Sequence, residues 1–207
     1  MMSSSITFNM DYLCYSISEL IHSGIDESVL TEEEKAFPPQ RRMARALLRA
    51  ELARRLHLPA DKIIITLNEH GKPLVNGICF NLSHSADLLC LAFHHADIGV
   101  DIQQERPLRS LHHLAPRIMC EQQLEHFRKN GENATEFFTC WSIAEALVKL
   151  HGSTIWQATN YPFILHSNRV ELPDSAQTEV ELFTPRPGYY GAVAYRKPSC
   201  YQHSAML

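Results

Sequence analysis

The segment 134–151 constrains the fold of this chain most, because its pattern predicts a helix that is apolar on two sides. Ile143, Leu147 and Leu150 recur at the i, i+4, i+7 spacing of one helix face. Trp141 lies on the opposite stripe, so that side is not an ordinary solvated face either. A helix that is hydrophobic all round belongs inside a protein, with other elements packed around it.

Two charged residues interrupt this apolar helix. Glu145 and Lys149 fall at i and i+4, on the stripe that also carries Trp141. An exposed Glu–Lys pair at this spacing would add only ~0.2–0.5 kcal/mol to a surface helix. Because the neighbouring positions are apolar, we favour a buried charged site instead. Gly152 is placed to end the helix as a glycine C-cap.

Composition narrows the class of protein. The chain has 207 residues, a formal net charge of -4, 45% hydrophobic and 20% charged residues, which suits one globular domain or two small ones. No apolar run approaches the ~20 residues of a bilayer span, and the N-terminus lacks the pattern of a secretion signal. We therefore expect a cytoplasmic protein that binds neither membrane nor, given its net charge, nucleic acid.

The order of the predicted elements favours an α+β fold, because helices and hairpin-linked strands segregate in each half of the chain. Thr31 and Glu34 have the spacing of a capping box at the start of the first helix. Helices are predicted at 31–35, 40–57, 111–129 and 134–151, and strands at 63–67, 78–80, 88–93, 98–102, 163–165, 180–183 and 189–195. A boundary near 103–107 would divide the chain into two halves, 1–104 and 105–207.

The segment FNLSHS (80–85) is the first candidate binding site. It places serine hydroxyls and the imidazole of His84 at the end of a predicted strand. Hydroxyls, an imidazole and turn amides together can hold a phosphate or an oxyanion. An ordinary polar turn, in which Asn81 and Ser83 bond the local backbone, fits the same residues. Spacing leaves both readings open, and the absence of a G-x-S-x-G elbow disfavours Ser83 as a nucleophile.

Asp101 lies inside the predicted strand IGVDI (98–102). Its carboxylate either faces solvent by the alternation of a strand or is buried and needs a cation or strong donors. A lone aspartate favours the solvent-facing reading, but Glu145 on the buried helix offers a second acidic group. Mg²⁺ is typically held by one or two carboxylates and substrate phosphates, so Asp101 and Glu145 form a candidate magnesium site.

Arginine is concentrated on the predicted helix 40–57. Arg41, Arg45 and Arg49 recur every four residues and share one stripe. Guanidinium groups in a stripe suit phosphate recognition, although a solvated basic face has the same pattern. Lys72, on the turn GKP (71–73), adds a further cation. Combined with the candidate magnesium site, these cations predict chemistry on a small molecule that bears phosphates.

In this order, the motifs resemble those of the 4'-phosphopantetheinyl transferase superfamily, in its longer single-chain type. The resemblance extends over residues 41–152. It is carried by ARALLR (44–49), GKP (71–73), FNLSHS (80–85), IGVDI (98–102) and the helix segment 141–152. It implies two similar α+β halves in a pseudo-two-fold arrangement, with coenzyme A in the cleft between them and a monomeric protein.

The resemblance also implies a reaction. The phosphopantetheine arm of coenzyme A would pass to a serine of an apo acyl carrier protein, or of a peptidyl or polyketide carrier domain, with release of 3',5'-ADP. Asp101 and Glu145 would hold Mg²⁺ against the pyrophosphate, and Lys149 would neutralise the phosphates during transfer. The residues implied to hold coenzyme A are Arg45, Lys72, Pro73, Ser83, His84 and Lys149.

Three positions depart from the family pattern. Gln103 stands where a second acid often follows the first, so the third metal ligand would be an amide oxygen or a water. Ala144 replaces a lysine that usually precedes the glutamate, which removes one phosphate or carrier contact. The family's Phe-Ser/Thr-x-x-Glu pattern is absent near Glu121, whose role as a general base is therefore only one option beside a metal-activated water.

These departures keep other functions open. Gln103 and Ala144 suggest a second hypothesis, a non-catalytic module that binds coenzyme A or a carrier protein. A hydrolase with Ser83 as its nucleophile is a third, less favoured hypothesis. Basic residues that could face an acidic carrier helix are Arg109, Arg117, Arg128 and Lys129.

Overall fold

The computed structural model of the chain describes residues 10–68, 71–108 and 111–197. Its helices are α1 (Ile17–Ser23), α2 (Glu32–Lys35), α3 (Pro39–Leu56), α4 (Leu111–Leu114), α5 (Glu121–Lys129) and α6 (Ala134–Leu150). Its strands are β1 (Asp11–Ser16), β2 (Thr66–Leu67), β3 (Pro73–Leu74), β4 (Cys79–Ser85), β5 (Leu88–His94), β6 (Ile98–Gln104), β7 (Ile164–His166), β8 (Arg169–Glu171), β9 (Thr178–Phe183) and β10 (Tyr189–Arg196). Helices and antiparallel strands confirm the α+β class.

The larger strands form two three-stranded antiparallel sheets. One has the order β1-β5-β4 and the other β6-β10-β9. The pairs β2–β3 and β7–β8 form separate small hairpins. Strand β6, which lies before the predicted boundary at 104–105, pairs along its length with β10 near the end of the chain. The division into two halves and their pseudo-two-fold relation stay predictions.

The centre of the protein is where the two sheets and helix α6 meet. Every residue of β5 is buried, and so are Ile98, Val100 and Ile102 of β6. These three side chains pack with Val193 of β10 in one apolar cluster. Helix α6 is buried on nearly all sides, as its two apolar stripes predicted, and packs against both β6 and β10. No helix of the described segments is long and apolar enough to cross a membrane.

Gly99 allows α6 to approach β6 closely. A Cβ at this position would overlap the backbone of Ala146 and Leu150 on α6. The requirement is for space rather than for an unusual φ angle, and a glycine in a strand often marks such a close approach. The approach brings Lys149 of α6 into contact with Asp101, two residues beyond Gly99 on β6.

Several sequence predictions are confirmed and others are wrong. The capping box of Thr31 and Glu34 is present, and the second helix spans Pro39–Leu56. The single helix predicted at 111–129 is broken, because Pro116 lacks the amide proton that a continuous helix needs. The strand predicted at 63–67 shrinks to Thr66–Leu67, since only these residues find a partner strand. Strand β1 and helix α1 were not predicted.

Candidate active site

A cavity of about 510 Å³ lies between α3, the β2–β3 hairpin, β4 and the end of α6. Four residues predicted to bind coenzyme A line it: Arg45, Lys72, Pro73 and Lys149. Arg41 and Asn81 also contribute to its wall. The sequence therefore identified most of the charged groups that the fold brings to this cavity.

Asp101 is buried, with only 3% of its surface exposed, so the solvent-facing reading of this residue is wrong. Its Oδ1 atom accepts hydrogen bonds from Lys149 Nζ at 2.7 Å and from Ser83 Oγ at 2.7 Å. Its Oδ2 atom accepts one from Gln103 Nε2 at 2.8 Å. The buried charge is thus compensated by one ammonium group and two neutral donors.

Glu145 is half-buried on α6, and burial raises the pKa of its carboxyl group. The negative charge of Asp101 raises this pKa further, while the ammonium of Lys149 partly offsets both effects. No hydrogen bond to the Glu145 carboxylate is found within the described part of the chain. Asp101 and Glu145 together hold one negative charge more than Lys149 can neutralise.

This donor set fits a magnesium ion. Mg²⁺ prefers oxygen ligands and commonly uses one or two carboxylates, completing its shell with substrate phosphates and water. A cation beside Asp101 and Glu145 would oppose both causes that raise the pKa of Glu145, first its burial and then the negative charge of Asp101. The residues that the structure describes contain no cluster of three or more His, Cys, Asp or Glu side chains suited to a metal. The fit therefore rests on these two carboxylates, with Gln103 bound to Asp101 rather than standing free as a ligand.

Lys72 and Lys149 line the cavity and bind polar groups of β6 and of the end of α6. Besides Asp101, Lys149 Nζ donates to the carbonyl oxygen of Val100 at 3.0 Å. Lys72 Nζ donates to the carbonyl oxygens of Ile98 and Lys149, each at 3.1 Å, and burial lowers the pKa of Lys72. Because an ammonium group has three donors, each lysine keeps one for a ligand in the cavity.

The arginine stripe of α3 divides into two parts with different roles. Arg49 is buried and donates to both carboxylate oxygens of Glu34, at 2.6 and 3.1 Å. It also donates to the carbonyl oxygens of Ala60 and Ile63. The reading of Arg49 as part of a phosphate-binding stripe is wrong, because its donors are used inside the protein.

Arg45 differs from Arg49 in having donors to spare. Its Nε lies 3.5 Å from Glu34, and its buried Nη1 has no hydrogen-bond partner among the residues described. Burial lowers the pKa of Arg45, an effect opposed by the charge of Glu34. Arg41, one turn earlier, is exposed and stacks on Phe37. Arg45 therefore lines the cavity and keeps one guanidinium nitrogen without a partner among the described residues.

The segment FNLSHS is a strand, not a turn, because its backbone pairs with β5 along its length, and the side chains on one face of this strand bond to β6. Asn81 Oδ1 accepts from the amide of Val100 at 3.0 Å, and Ser83 Oγ from that of Ile102 at 3.4 Å. Ser85 Oγ accepts from the amide of Gln104 at 2.9 Å. His84 points elsewhere, into a neighbouring cavity of about 300 Å³ that shares Arg41, Ala44 and Leu82 with the first one.

Other predicted residues lie away from these contacts. Glu121 is exposed at the first position of α5, and its role as a base stays a prediction. The same holds for the carrier-facing roles of Arg117, which lies over the ring of Trp156, and of Arg128 and Lys129. Arg109 lies outside the described residues.

Three structurally important residues escaped the sequence analysis. Glu34 was identified only as part of a capping box, although it also holds Arg49. Asn81 was left between a binding segment and a polar turn, yet the period-two spacing of Asn81, Ser83 and Ser85 already suggested one strand face. Gly99 carried no chemical signal, and only its place within a strand indicated a close backbone approach.

Comparison with known proteins agrees with this geometry. A model of the 4'-phosphopantetheinyl transferase superfamily matches residues 97–191, which include β6 and α6. The chain is 31% identical over 160 residues to the 4'-phosphopantetheinyl transferase psf-1 of Bacillus pumilus, a match covering 72% of this chain and 68% of the relative. It is 28% identical over 162 residues to the 4'-phosphopantetheinyl transferase Sfp of Bacillus subtilis, covering 73% and 71%.

Proposed function

Because the chain belongs to the 4'-phosphopantetheinyl transferase superfamily, we propose that it transfers the 4'-phosphopantetheine group of coenzyme A to a serine of an apo carrier protein. The acceptor is an acyl carrier protein or a peptidyl or polyketide carrier domain, and the reaction depends on Mg²⁺. The observation that supports this proposal most is the excess of negative charge at Asp101 and Glu145, next to a cavity lined by Arg45, Lys72 and Lys149.

The reaction that we propose is a displacement at phosphorus. The serine hydroxyl of the carrier gives its proton to a general base, for which Glu121 and a metal-activated water are the two options, and its oxygen attacks the phosphorus that bears the pantetheine arm. A new P–O bond forms, the bond from this phosphorus to the bridging oxygen of the pyrophosphate breaks, and 3',5'-ADP leaves with that oxygen. Mg²⁺ bound by Asp101 and Glu145 would supply positive charge to the pyrophosphate oxygens. The protein's main task is then to position the two reactants and to neutralise charge.

The cationic residues of the cavity have separate tasks in this proposal. Lys149 directs its remaining donor to the pyrophosphate, because its other two hold Asp101 and Val100. Lys72, beside Pro73 in the cavity wall, binds the backbone of Ile98 and Lys149 and has one donor left for a phosphate. Arg45, which lines the cavity, would hold the 3'-phosphate end of coenzyme A through its guanidinium group. His84 would contact coenzyme A where the neighbouring cavity joins the first.

The direct test is to incubate the protein with coenzyme A, Mg²⁺ and a panel of apo carriers from fatty-acid, polyketide and peptide synthesis. We expect one carrier or more to gain a single phosphopantetheine group by intact mass, and to gain none when Mg²⁺ is chelated. Absence of modification across the whole panel would contradict the proposal.

One observation favours a second function, a non-catalytic module that binds coenzyme A. Gln103 takes the place of a second acid and uses its amide to hold Asp101, which leaves the site with fewer negative charges for a metal. Under this alternative the protein binds coenzyme A in calorimetry but modifies no carrier, and Asp101→Ala leaves that binding unchanged. Under the transferase proposal Asp101→Ala abolishes modification of a carrier that the unaltered protein modifies.

A further inference from the structure

Strands β4 and β6 are joined by side chains rather than by a backbone ladder. Strand β4 is an edge strand of the first sheet and β6 is an edge strand of the second, and these two edges face each other. Within the described residues, β4 pairs only with β5 and β6 only with β10. The inner edge of a buried strand carries amide groups that need acceptors. Asn81, Ser83 and Ser85 supply them at every second position of β4.

Ser83 differs from the other two residues of this ladder. Its hydroxyl accepts from the amide of Ile102 and also donates to Asp101 Oδ1 at 2.7 Å. Ser85 makes the equivalent contact with the amide of Gln104, but no contact with a site carboxylate is found for it among the described residues. Ser83 is 5% exposed, so solvent does not compete for its proton.

The proton of Ser83 decides what this residue can bind. A serine hydroxyl has one donor, and a phosphate at neutral pH offers only acceptors in return. While the proton is held by Asp101, the hydroxyl has nothing to donate to a phosphate of coenzyme A. The contact with Asp101 also joins an uncharged donor to a carboxylate, a strong type of hydrogen bond.

The donors around Asp101 are distributed unequally between its two oxygens. Ser83 and Lys149 both bond Oδ1, whereas Gln103 is the one described residue that bonds Oδ2. A carboxylate offers about four lone-pair positions, two on each oxygen. The position left vacant is therefore on Oδ2, which identifies the oxygen available to a cation.

We infer that Ser83 is a positioning residue, not a ligand of coenzyme A: it and Lys149 occupy Oδ1 of Asp101, which leaves Oδ2 as the oxygen that would take the metal. This inference rests on the proposed function for its metal and substrate, and it revises the role that the family resemblance implied for Ser83. Residues that orient a metal ligand in this way typically change metal affinity or activity by about 10–100-fold when they are removed.

The test compares Ser83→Ala with Ser85→Ala, because both remove one hydroxyl from the same strand and leave one amide of β6 without its acceptor. Calorimetry measures the affinity for coenzyme A without Mg²⁺, and then the factor by which Mg²⁺ tightens that affinity. For Ser83→Ala we expect the metal-free affinity for coenzyme A to stay within about twofold. We expect the Mg²⁺ concentration needed to tighten that affinity to rise by about tenfold or more. Ser85→Ala should leave both quantities unchanged, and Ser83→Thr, which keeps the hydroxyl, should restore the Mg²⁺ response.

Two results would overturn the inference. A loss of metal-free coenzyme A affinity in Ser83→Ala, with the Mg²⁺ response intact, would make Ser83 a ligand of coenzyme A. An equal loss in Ser83→Ala and Ser85→Ala would make the ladder purely structural. Should Ser83→Ala fail to fold by circular dichroism, Ser83→Cys, which keeps the side-chain shape with a weaker donor, is measured instead. None of these readouts needs a carrier protein, so they are independent of whether transfer occurs.

Discussion

Two acid–base clusters of this protein use the same chemistry with opposite charge balance. In the first, on α2 and α3, Glu34 faces both Arg49 and Arg45, so positive charge is in excess. In the second, on β6 and α6, Asp101 and Glu145 share the single ammonium of Lys149, so negative charge is in excess.

Each cluster contains one satisfied member and one that is not. Arg49 and Asp101 have their hydrogen bonds inside the protein. Arg45 keeps an unpartnered Nη1, and no hydrogen bond to Glu145 is found in the segments described. A charged group that few protein donors or acceptors balance favours a ligand of complementary charge, and we assign that role to Arg45 and Glu145 because both lie at the proposed site. The comparison thus separates Arg49, whose bonds hold the fold, from Arg45 and Glu145, each with polar atoms that no described residue bonds, while Asp101 keeps one position on Oδ2 for a cation.

The largest effect is expected from Glu145→Gln. It removes the charge that Mg²⁺ needs while keeping the shape of the side chain, so transfer to a carrier should fall by about a hundredfold or more. Because burial and Asp101 raise the pKa of Glu145, the metal-free protein should be no less stable after this change. Rate by mass spectrometry and free energy of unfolding by denaturant check both statements. A matched loss of activity and stability would instead make Glu145 a structural ion-pair partner.

The arginine cluster offers a pair of matched variants. Arg49→Met leaves Glu34 without its buried partner and should lower the free energy of unfolding by about 3–5 kcal/mol. Arg45→Met removes the unsatisfied guanidinium and should cost little stability but weaken coenzyme A binding by about tenfold or more, as the loss of a charge-assisted bond. Denaturant unfolding and calorimetry separate the two outcomes. If both variants change the same property to the same extent, the division of roles within this cluster is wrong.

The smallest effect concerns pH. Burial raises the pKa of Glu34, but the hydrogen bonds from Arg49 and Thr31 and the arginine charges outweigh it, so the net pKa lies below the ordinary value of 4.5. A carboxyl group whose folded pKa is lowered stabilises the protein above its unfolded pKa, and this stability is lost as pH falls through the folded pKa. The unfolding free energies of the unaltered protein and Glu34→Gln should therefore differ near neutral pH and converge below pH ~4. A difference that is constant with pH would show that the charge of Glu34 is not what stabilises this cluster.

Sequence patterns predicted the parts of the molecule whose physics is local. The spacing along α6 gave its burial and its embedded charges, and the capping box gave the start of α2. What failed depended on distant partners. Arg49 looked like Arg45 until the fold placed Glu34 beside it, and the hydrogen bond from Ser83 to Asp101 joins two strands whose proximity no local spacing reveals. Spacing reports which side chains share a face, but not which of their hydrogen bonds are already used.

The central claim is that the cationic cluster binds coenzyme A and the acidic cluster couples that binding to Mg²⁺. Calorimetric titration of coenzyme A with and without Mg²⁺ tests it in one experiment on the unaltered protein, Glu145→Gln and Arg45→Met. The account predicts that Mg²⁺ tightens binding to the unaltered protein, that Glu145→Gln keeps the metal-free affinity and loses the Mg²⁺ increment, and that Arg45→Met loses metal-free affinity but keeps the increment. An increment that survives in Glu145→Gln would contradict it.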